Sequence, residues 1–213
     1  MKKIKIFDVF IWIITFVFVV GVFFLPKTVP VHWDVNWNID RYGSRYELFI
    51  VAFIPLLTYY GMLFTKRIDP HRKGILSREK TYDLIRTWLS LLMILFAGFI
   101  YVMTIKPHMN GTFILCFLFG FMFIGLGNYM PKIPKNYFLG IRTPWTMASE
   151  YVWKKTHLLS GYAFVISGVL IILSGFIASK VLFIVLLGVI VVDMFIAYVY
   201  SYKVYQKETK NID

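Results

Sequence analysis

Six apolar runs, each long enough to cross a bilayer, set what this chain can fold into. They cover residues 9–25, 48–64, 87–105, 112–130, 158–178 and 181–200. A hydrocarbon core needs about 20 mostly apolar residues as helix, and ~17 suffice when the span is short. In lipid every backbone amide must be satisfied within its own segment, so such runs are expected to be helices. Only the last contains a formally charged residue, Asp193. The N-terminal run follows Lys2, Lys3 and Lys5 like a signal peptide, but it ends in Phe23, Phe24, Leu25 and Pro26. No small-residue cleavage site follows, so it reads as an uncleaved first span.

Composition agrees. The chain is 59% hydrophobic and 16% charged, against roughly a quarter charged in a soluble domain. A net charge of +12 raises nucleic acid as a partner, and the distribution of Lys and Arg excludes it. They stand in short runs between apolar stretches, a pattern of membrane topology rather than of one basic face. With both termini inside, 18 of the 23 Lys and Arg fall on the inner side. The reading is an all-α, six-helix transmembrane bundle, N-in and C-in, in a cytoplasmic membrane. Its parts are an N-terminal hairpin of spans (1–65), a basic cytoplasmic loop (66–86) and a four-helix region (87–213). The single cysteine, Cys116, leaves no internal disulfide.

Connections decide where function sits. Asn110-Gly111 and Ser179-Lys180 mark tight turns. The segments 26–47 outside and 131–157 inside are longer and richly patterned, and loops of that kind carry sites. In the fifth run Ser160-Gly161, Ser167-Gly168 and Ser174-Gly175 recur every seven residues. Two helical turns separate the pairs, so they form one stripe for close helix packing, within the bundle or along a homodimer seam.

In the inner segment, Pro131 and Pro134 stop the fourth span. Gly140 opens unusual backbone angles. Thr143-Pro144 places an extended N-cap before a proline suited to the first helical position. A helix is expected from Pro144, with Ser149-Glu150 as a second start. It would lie at the inner interface with Trp145, Ala148 and Val152 on one side, flanked by Tyr151 and Trp153, and Lys154 and Lys155 toward lipid phosphates. Arg142 then sits at headgroup level, tying the loop down or binding a partner's carboxylate or phosphate.

This run of residues carries a resemblance. Gly127, Asn128, Pro131, Asn136, Gly140, Ile141, Arg142, Thr143, Pro144, Trp145, Thr146, Trp153, Thr156 and His157 resemble the signature of the SdpI family of bacterial immunity proteins. The outer segment, with Pro30, His32, Trp33, Asp34, Asp40, Gly43, Ser44 and Arg45, resembles the domain of unknown function that commonly precedes it. Trp37 stands where that domain usually has glycine. The resemblance implies neutralisation of a secreted antimicrobial peptide toxin and signalling by capture of a transcriptional repressor at the inner face. Loop placement together with the motif match makes Pro30, His32, Trp33, Asp34, Asp40 and Gly43 candidates for toxin binding. On the same grounds Asn128, Pro131, Asn136, Gly140, Arg142, Thr143, Pro144, Trp145, Trp153, Thr156 and His157 are candidates for the inner motif and its partner.

On chemistry alone, His32 and Asp34 share a strand face and form a conceivable metal or acid–base pair, without the further ligands of a zinc site. The competing reading is a structured cap in which Asp34 and Asp40 pair with Arg41 or Arg45 or cap a helix. Asp193 must face protein or water, with Arg86, Arg142 and His157 as candidate partners. No HExxH or Gly-rich phosphate loop is present, so neither metal nor cofactor nor enzymatic activity is expected. The alternatives are a small secondary transporter, a membrane enzyme acting on lipid or peptide, or a structural subunit.

Overall fold

The computed structural model describes residues 6–177 and 179–210. Lys2, Lys3 and Lys5, counted for orientation, and Ala178, the end of the fifth run, lie outside them. Six long helices coincide with the six apolar runs: α1 (Ile6–Phe24), α2 (Leu48–Ile68), α4 (Glu79–Ile105), α5 (Thr112–Tyr129), α7 (Glu150–Ser174) and α8 (Ser179–Lys210). All six are long and apolar enough to cross a membrane. Two short helices, α3 (Arg72–Ser77) and α6 (Pro144–Ala148), join them.

The helices overrun the apolar segments, and this corrects two expectations. The basic 66–86 stretch is mostly helix rather than loop: the end of α2, all of α3 and the first turns of α4. An ion-pair cluster holds it. Lys66 at the end of α2 donates to Glu79 at 2.6 Å and to Asp83 at 3.4 Å, both on α4. Arg86 pairs with Asp83 at 3.6 Å and lies 4.0 Å over the Tyr59 ring. The Tyr59 hydroxyl donates to Asp8 of α1 at 2.8 Å. The last turn, expected at Ser179-Lys180, comes earlier. α7 stops at Ser174, where Gly175 donates back to the Ile172 carbonyl, and Ser179 already begins α8. The helix ends there although the apolar character of the run continues.

Two packed groups share the bundle. One is α1, α2 and α4, which buries Ile11, Leu56 and Tyr59 together and gathers Val22, Val29 and Leu48 at the other end. The other is α5, α7 and α8, around Cys116, Phe123, Ile171, Leu182 and Val189. Its tightest contact answers the Ser-Gly stripe. A Cβ on Gly161 would stand 2.8 Å from the Gly127 carbonyl oxygen, and one on Gly168 would stand 2.6 Å from that of Gly120. The stripe is filled by α5 of the same chain, which removes it as a homodimer seam. Small residues let two backbones approach where lipid provides no hydrophobic drive for helix association.

The segment after α1 is a β-hairpin, which the all-α expectation did not include. Strands β1 (Thr28–Trp33) and β2 (Ile39–Ser44) pair antiparallel from Thr28↔Ser44 to Trp33↔Ile39, with an irregularity at His32. Arg45 anchors its base by donating to the carbonyls of Phe23 and Leu25, each at 2.9 Å. Those are orphan acceptors at the end of α1.

Candidate functional site

The hairpin tip is built around Asp34. Its Oδ1 accepts the backbone N–H groups of Asn36 and Asn38 at 2.8 and 2.9 Å, and Oδ2 accepts from the Asn38 side chain at 3.1 Å. These bonds, the Asn38 side-chain bond foremost, hold the Asp34 carboxyl below the usual aspartate range. Trp37 follows with φ at 66°, the left-handed region where glycine is at ease. The strain is held by contacts: its indole N–H donates to Thr112 Oγ1 at 2.6 Å, and its ring meets Phe99 edge-on at 6.1 Å. Trp33 makes a parallel tie to the Pro107 carbonyl at 3.1 Å. Both tryptophans thus pin the hairpin to the α4–α5 turn.

The pairing of charges differs from both sequence readings. His32 meets Asp40 across the hairpin at 2.6 Å, not Asp34, and the strand register is irregular on either side of it. Arg41 pairs with Glu47 at 3.4 Å, and Arg45 serves the α1 carbonyls. Asp34 and Asp40 therefore take neither arginine. Gly43 leaves room for Glu47, whose Oε1 would lie 2.1 Å from a Cβ there and accepts the Ser44 N–H at 3.1 Å. Pro30 is buried opposite Tyr42. Beneath the hairpin lies a cleft of about 430 Å³. Leu48, Val51, Phe99 and Met103 give it apolar walls, and His32, Asp34, Arg41 and Glu47 give it a mixed-charge rim.

The inner motif is a hydrogen-bonded knot. Asn136 is fully buried and uses its whole amide: Nδ2 donates to the carbonyls of Pro134 and Leu139, and Oδ1 accepts from the N–H groups of Phe138 and Leu139. The buried Trp153 indole donates to the Ile133 carbonyl at 2.9 Å. His157 stacks on it with centroids 3.9 Å apart. His157 Nδ1 bonds the Trp153 carbonyl at 2.8 Å, and Nε2 accepts the Ile141 N–H at 3.0 Å. That pairing sets the neutral tautomer with its proton on Nδ1. Gly140 sits over this pair with φ at 108°, and a Cβ there would come within 2.4 Å of His157 Nε2.

The predicted cap is present. Thr143 and Thr146 form a reciprocal capping box at α6 with Pro144 at its start, and Thr143 Oγ1 donates to Ser201 of α8 at 3.0 Å. The interfacial helix differs from expectation in length. It breaks at Ser149, the second start, which caps α7 and donates to Glu208 at 2.9 Å. Val152, Trp153, Thr156 and His157 consequently belong to α7 and point inward, buried. Trp145 packs on Tyr198 and Tyr202 of α8, with ring centroids 4.9 Å away in each case. Arg142 stays exposed and donates to the Tyr137 carbonyl. Asn128 is exposed on α5 and bonds its own helix at Ile124. Pro131 packs beside Gly161.

Sequence reasoning missed Asp69, which joins the halves of this face. It is buried, and its carboxylate accepts from the backbone N–H of His71 at 2.6 Å and of Tyr137 at 2.8 Å. The His71 and Tyr137 rings stack at 5.2 Å. The Asp69-Pro70 dipeptide, a turn signal after an apolar run, is the cue that was available. Asp193 is 5% exposed and meets Ser167 of α7. Arg86 and His157, two of its three candidate partners, are engaged elsewhere; Arg142 shares a cleft with it.

Six long apolar helices, a tethered outer hairpin and a hydrogen-bonded motif loop ahead of α7 define a multi-pass membrane protein. Residues 132–201 match the SdpI/YfhL protein family, and residues 9–57 match the Domain of unknown function (DUF1648). The chain thus carries an SdpI/YfhL family region, with that domain at its N-terminal side. It is 25% identical over 185 residues to the immunity protein SdpI of Bacillus subtilis (strain 168), covering 86% of each chain. No solved structure matches it.

Proposed function

We propose that this chain confers immunity to a secreted antimicrobial peptide, which it receives in the cleft beneath the hairpin. The observation that carries this reading is the cleft itself: apolar walls below, and His32, Asp34, Arg41 and Glu47 around the rim. An amphipathic peptide presents the complementary surface, with apolar side chains for the walls and polar groups for the rim. The orientation is N-in and C-in, supported by the 18 of 23 basic residues on the inner side. The protein acts by saturable binding without turnover.

A second role at the inner face is favoured by one feature. A groove of about 1030 Å³ runs between α3 and the start of α7, with Arg67, Arg72, Lys73, Arg78, Lys135 and Lys154 along it. Such a groove suits an acidic segment of a cytoplasmic partner, which the signalling reading identifies as a transcriptional repressor.

The test is survival. A sensitive bacterium expressing the chain is challenged with candidate secreted peptides, alongside His32→Ala, Asp40→Ala and Trp33→Ala variants matched for membrane abundance. Protection that weakens in these variants supports the cleft. Protection unchanged in all three rejects it.

A further inference from the structure

A third cleft, of about 560 Å³, opens between α5, α7 and α8 beneath the inner motif. It lies within the size range of sites that bury small ligands, roughly 300–1,000 Å³. Its origin is a stripe on α8. Asp193, Ala197 and Ser201 are four residues apart, fall on one helix face and are all buried. Ser201 is tied to Thr143 at 3.0 Å, which closes the inner end. Ala197 is small and leaves space beside Phe164 and Phe123. Arg142 is at the mouth, exposed, with one hydrogen bond to a backbone carbonyl.

Asp193 lines this space from α8. Ser167 approaches its carboxyl, yet Oδ2 is buried with no hydrogen-bond partner among the described residues. An unmatched carboxyl oxygen in apolar surroundings is costly, so its retention points to an occupant that satisfies it. The flanking residues Met194 and Phe195 are 68% and 67% exposed. On an apolar helix such residues face acyl chains, so the cleft opens sideways into lipid rather than toward water.

We infer that this cleft is a binding site for one anionic glycerophospholipid of the adjacent leaflet. Its phosphate bonds Arg142, an acyl-ester carbonyl accepts a hydrogen bond from the Asp193 carboxylic acid at Oδ2, and an acyl chain lies against Phe123, Phe164 and Ile190. The planar guanidinium suits a phosphate at the headgroup level, where a zwitterionic lipid would bring a cation close to the same arginine. This site is independent of the outer cleft, and loss of toxin protection would not bear on it.

The test uses the full chain purified in neutral detergent and titrated with dioleoyl phosphatidylglycerol or dioleoyl phosphatidylcholine, with bound lipid counted by native mass spectrometry. One phosphatidylglycerol is expected to be retained in preference to phosphatidylcholine. Arg142→Gln should weaken retention roughly tenfold, the loss of one charge-assisted bond. Asp193→Leu should weaken it as well, and Asp193→Asn, which keeps a hydrogen-bonding group, should preserve it. Ala197→Phe should block the cleft, and if that variant fails to fold, Arg142→Gln decides, since its side chain is exposed. Equal retention of both lipids, or retention indifferent to Arg142→Gln and Asp193→Leu, overturns the proposal. Competition by millimolar glycerol phosphate lacking acyl chains also overturns it, because the site would then serve a free phosphate.

Discussion

Trp37 donates its indole N–H to the Thr112 hydroxyl at 2.6 Å while its own backbone stands at φ 66°. The position takes a glycine-like conformation but holds the largest side chain available, and the contact across to α5 is what stabilises it. A bulky residue in this region costs about 1–2 kcal/mol. The lost hydrogen bond is worth about 0.5–1.5 kcal/mol and the lost ring contact about as much again. Trp37→Gly is therefore expected to relieve the backbone yet loosen the hairpin, because the lost contacts outweigh the relief. Limited proteolysis in detergent should cut the 28–44 segment several times faster in this variant.

Acid should loosen the same hairpin through Asp34. Its carboxyl is held below the usual range by the Asn38 side chain and the Asn38 and Asn36 backbone N–H groups. A group whose folded value is depressed contributes stability that is present above its unfolded value and lost as pH falls through the folded one. Protease resistance of the tip should hold at neutral pH and decline only below the normal aspartate range. Asp34→Asn should flatten that pH dependence, measured with an acid-active protease.

At the inner motif, Gly140 and His157 form one unit. Gly140→Ala places a methyl group 2.4 Å from His157 Nε2 at a backbone angle that L residues rarely adopt. The expected cost is about 1–3 kcal/mol, a lowered melting temperature in detergent. His157→Ala leaves the Ile141 N–H without its acceptor, with a cost of about 1–3 kcal/mol for an orphaned buried donor. If the two residues act together, the double variant should melt near the worse single one rather than at the sum.

How much of this was readable in advance depended on whether the cause was local. The spans were legible because length and apolarity are properties of one segment, and so was the Thr143-Pro144 start, whose cap needs only its own neighbours. The hairpin was not, since Pro30 and the irregularity at His32 break the alternation that marks a strand. Trp153 read as an interfacial anchor because nothing near it in sequence shows the Ile133 carbonyl it reaches. The Lys66, Asp83 and Arg86 cluster depends on α2 lying beside α4, which charge counting along the chain does not contain. Asp193 was legible as an exception but not in its partner.

The contact between α5 and α7 makes a sharper test of packing. Gly168→Leu forces a side chain against the Gly120 carbonyl and Ile124, where backbone has no room to give. Overpacking of this kind costs about 1–3 kcal/mol or more. Gly188, with nothing within 4 Å of its Cβ position, is the matched control on α8. Gly188→Leu should leave the detergent melting temperature nearly unchanged, and Gly168→Leu should lower it clearly.

The proposed function depends on the hairpin and the inner motif lying on opposite sides of the membrane, and labelling in intact cells tests that directly. Tyr42→Cys reports the hairpin, where the side chain is 60% exposed, and Lys132→Cys reports the inner motif, also exposed. The native Cys116 is buried and gives little background. A membrane-impermeant maleimide should modify Tyr42→Cys in whole cells and reach Lys132→Cys only after permeabilisation. The charge asymmetry that supports this orientation acts through loops close to the spans, so both reporters sit where that asymmetry operates. Labelling of both variants in whole cells would put the hairpin and the Arg142 loop in one compartment and remove the basis for an outer peptide site facing an inner partner site.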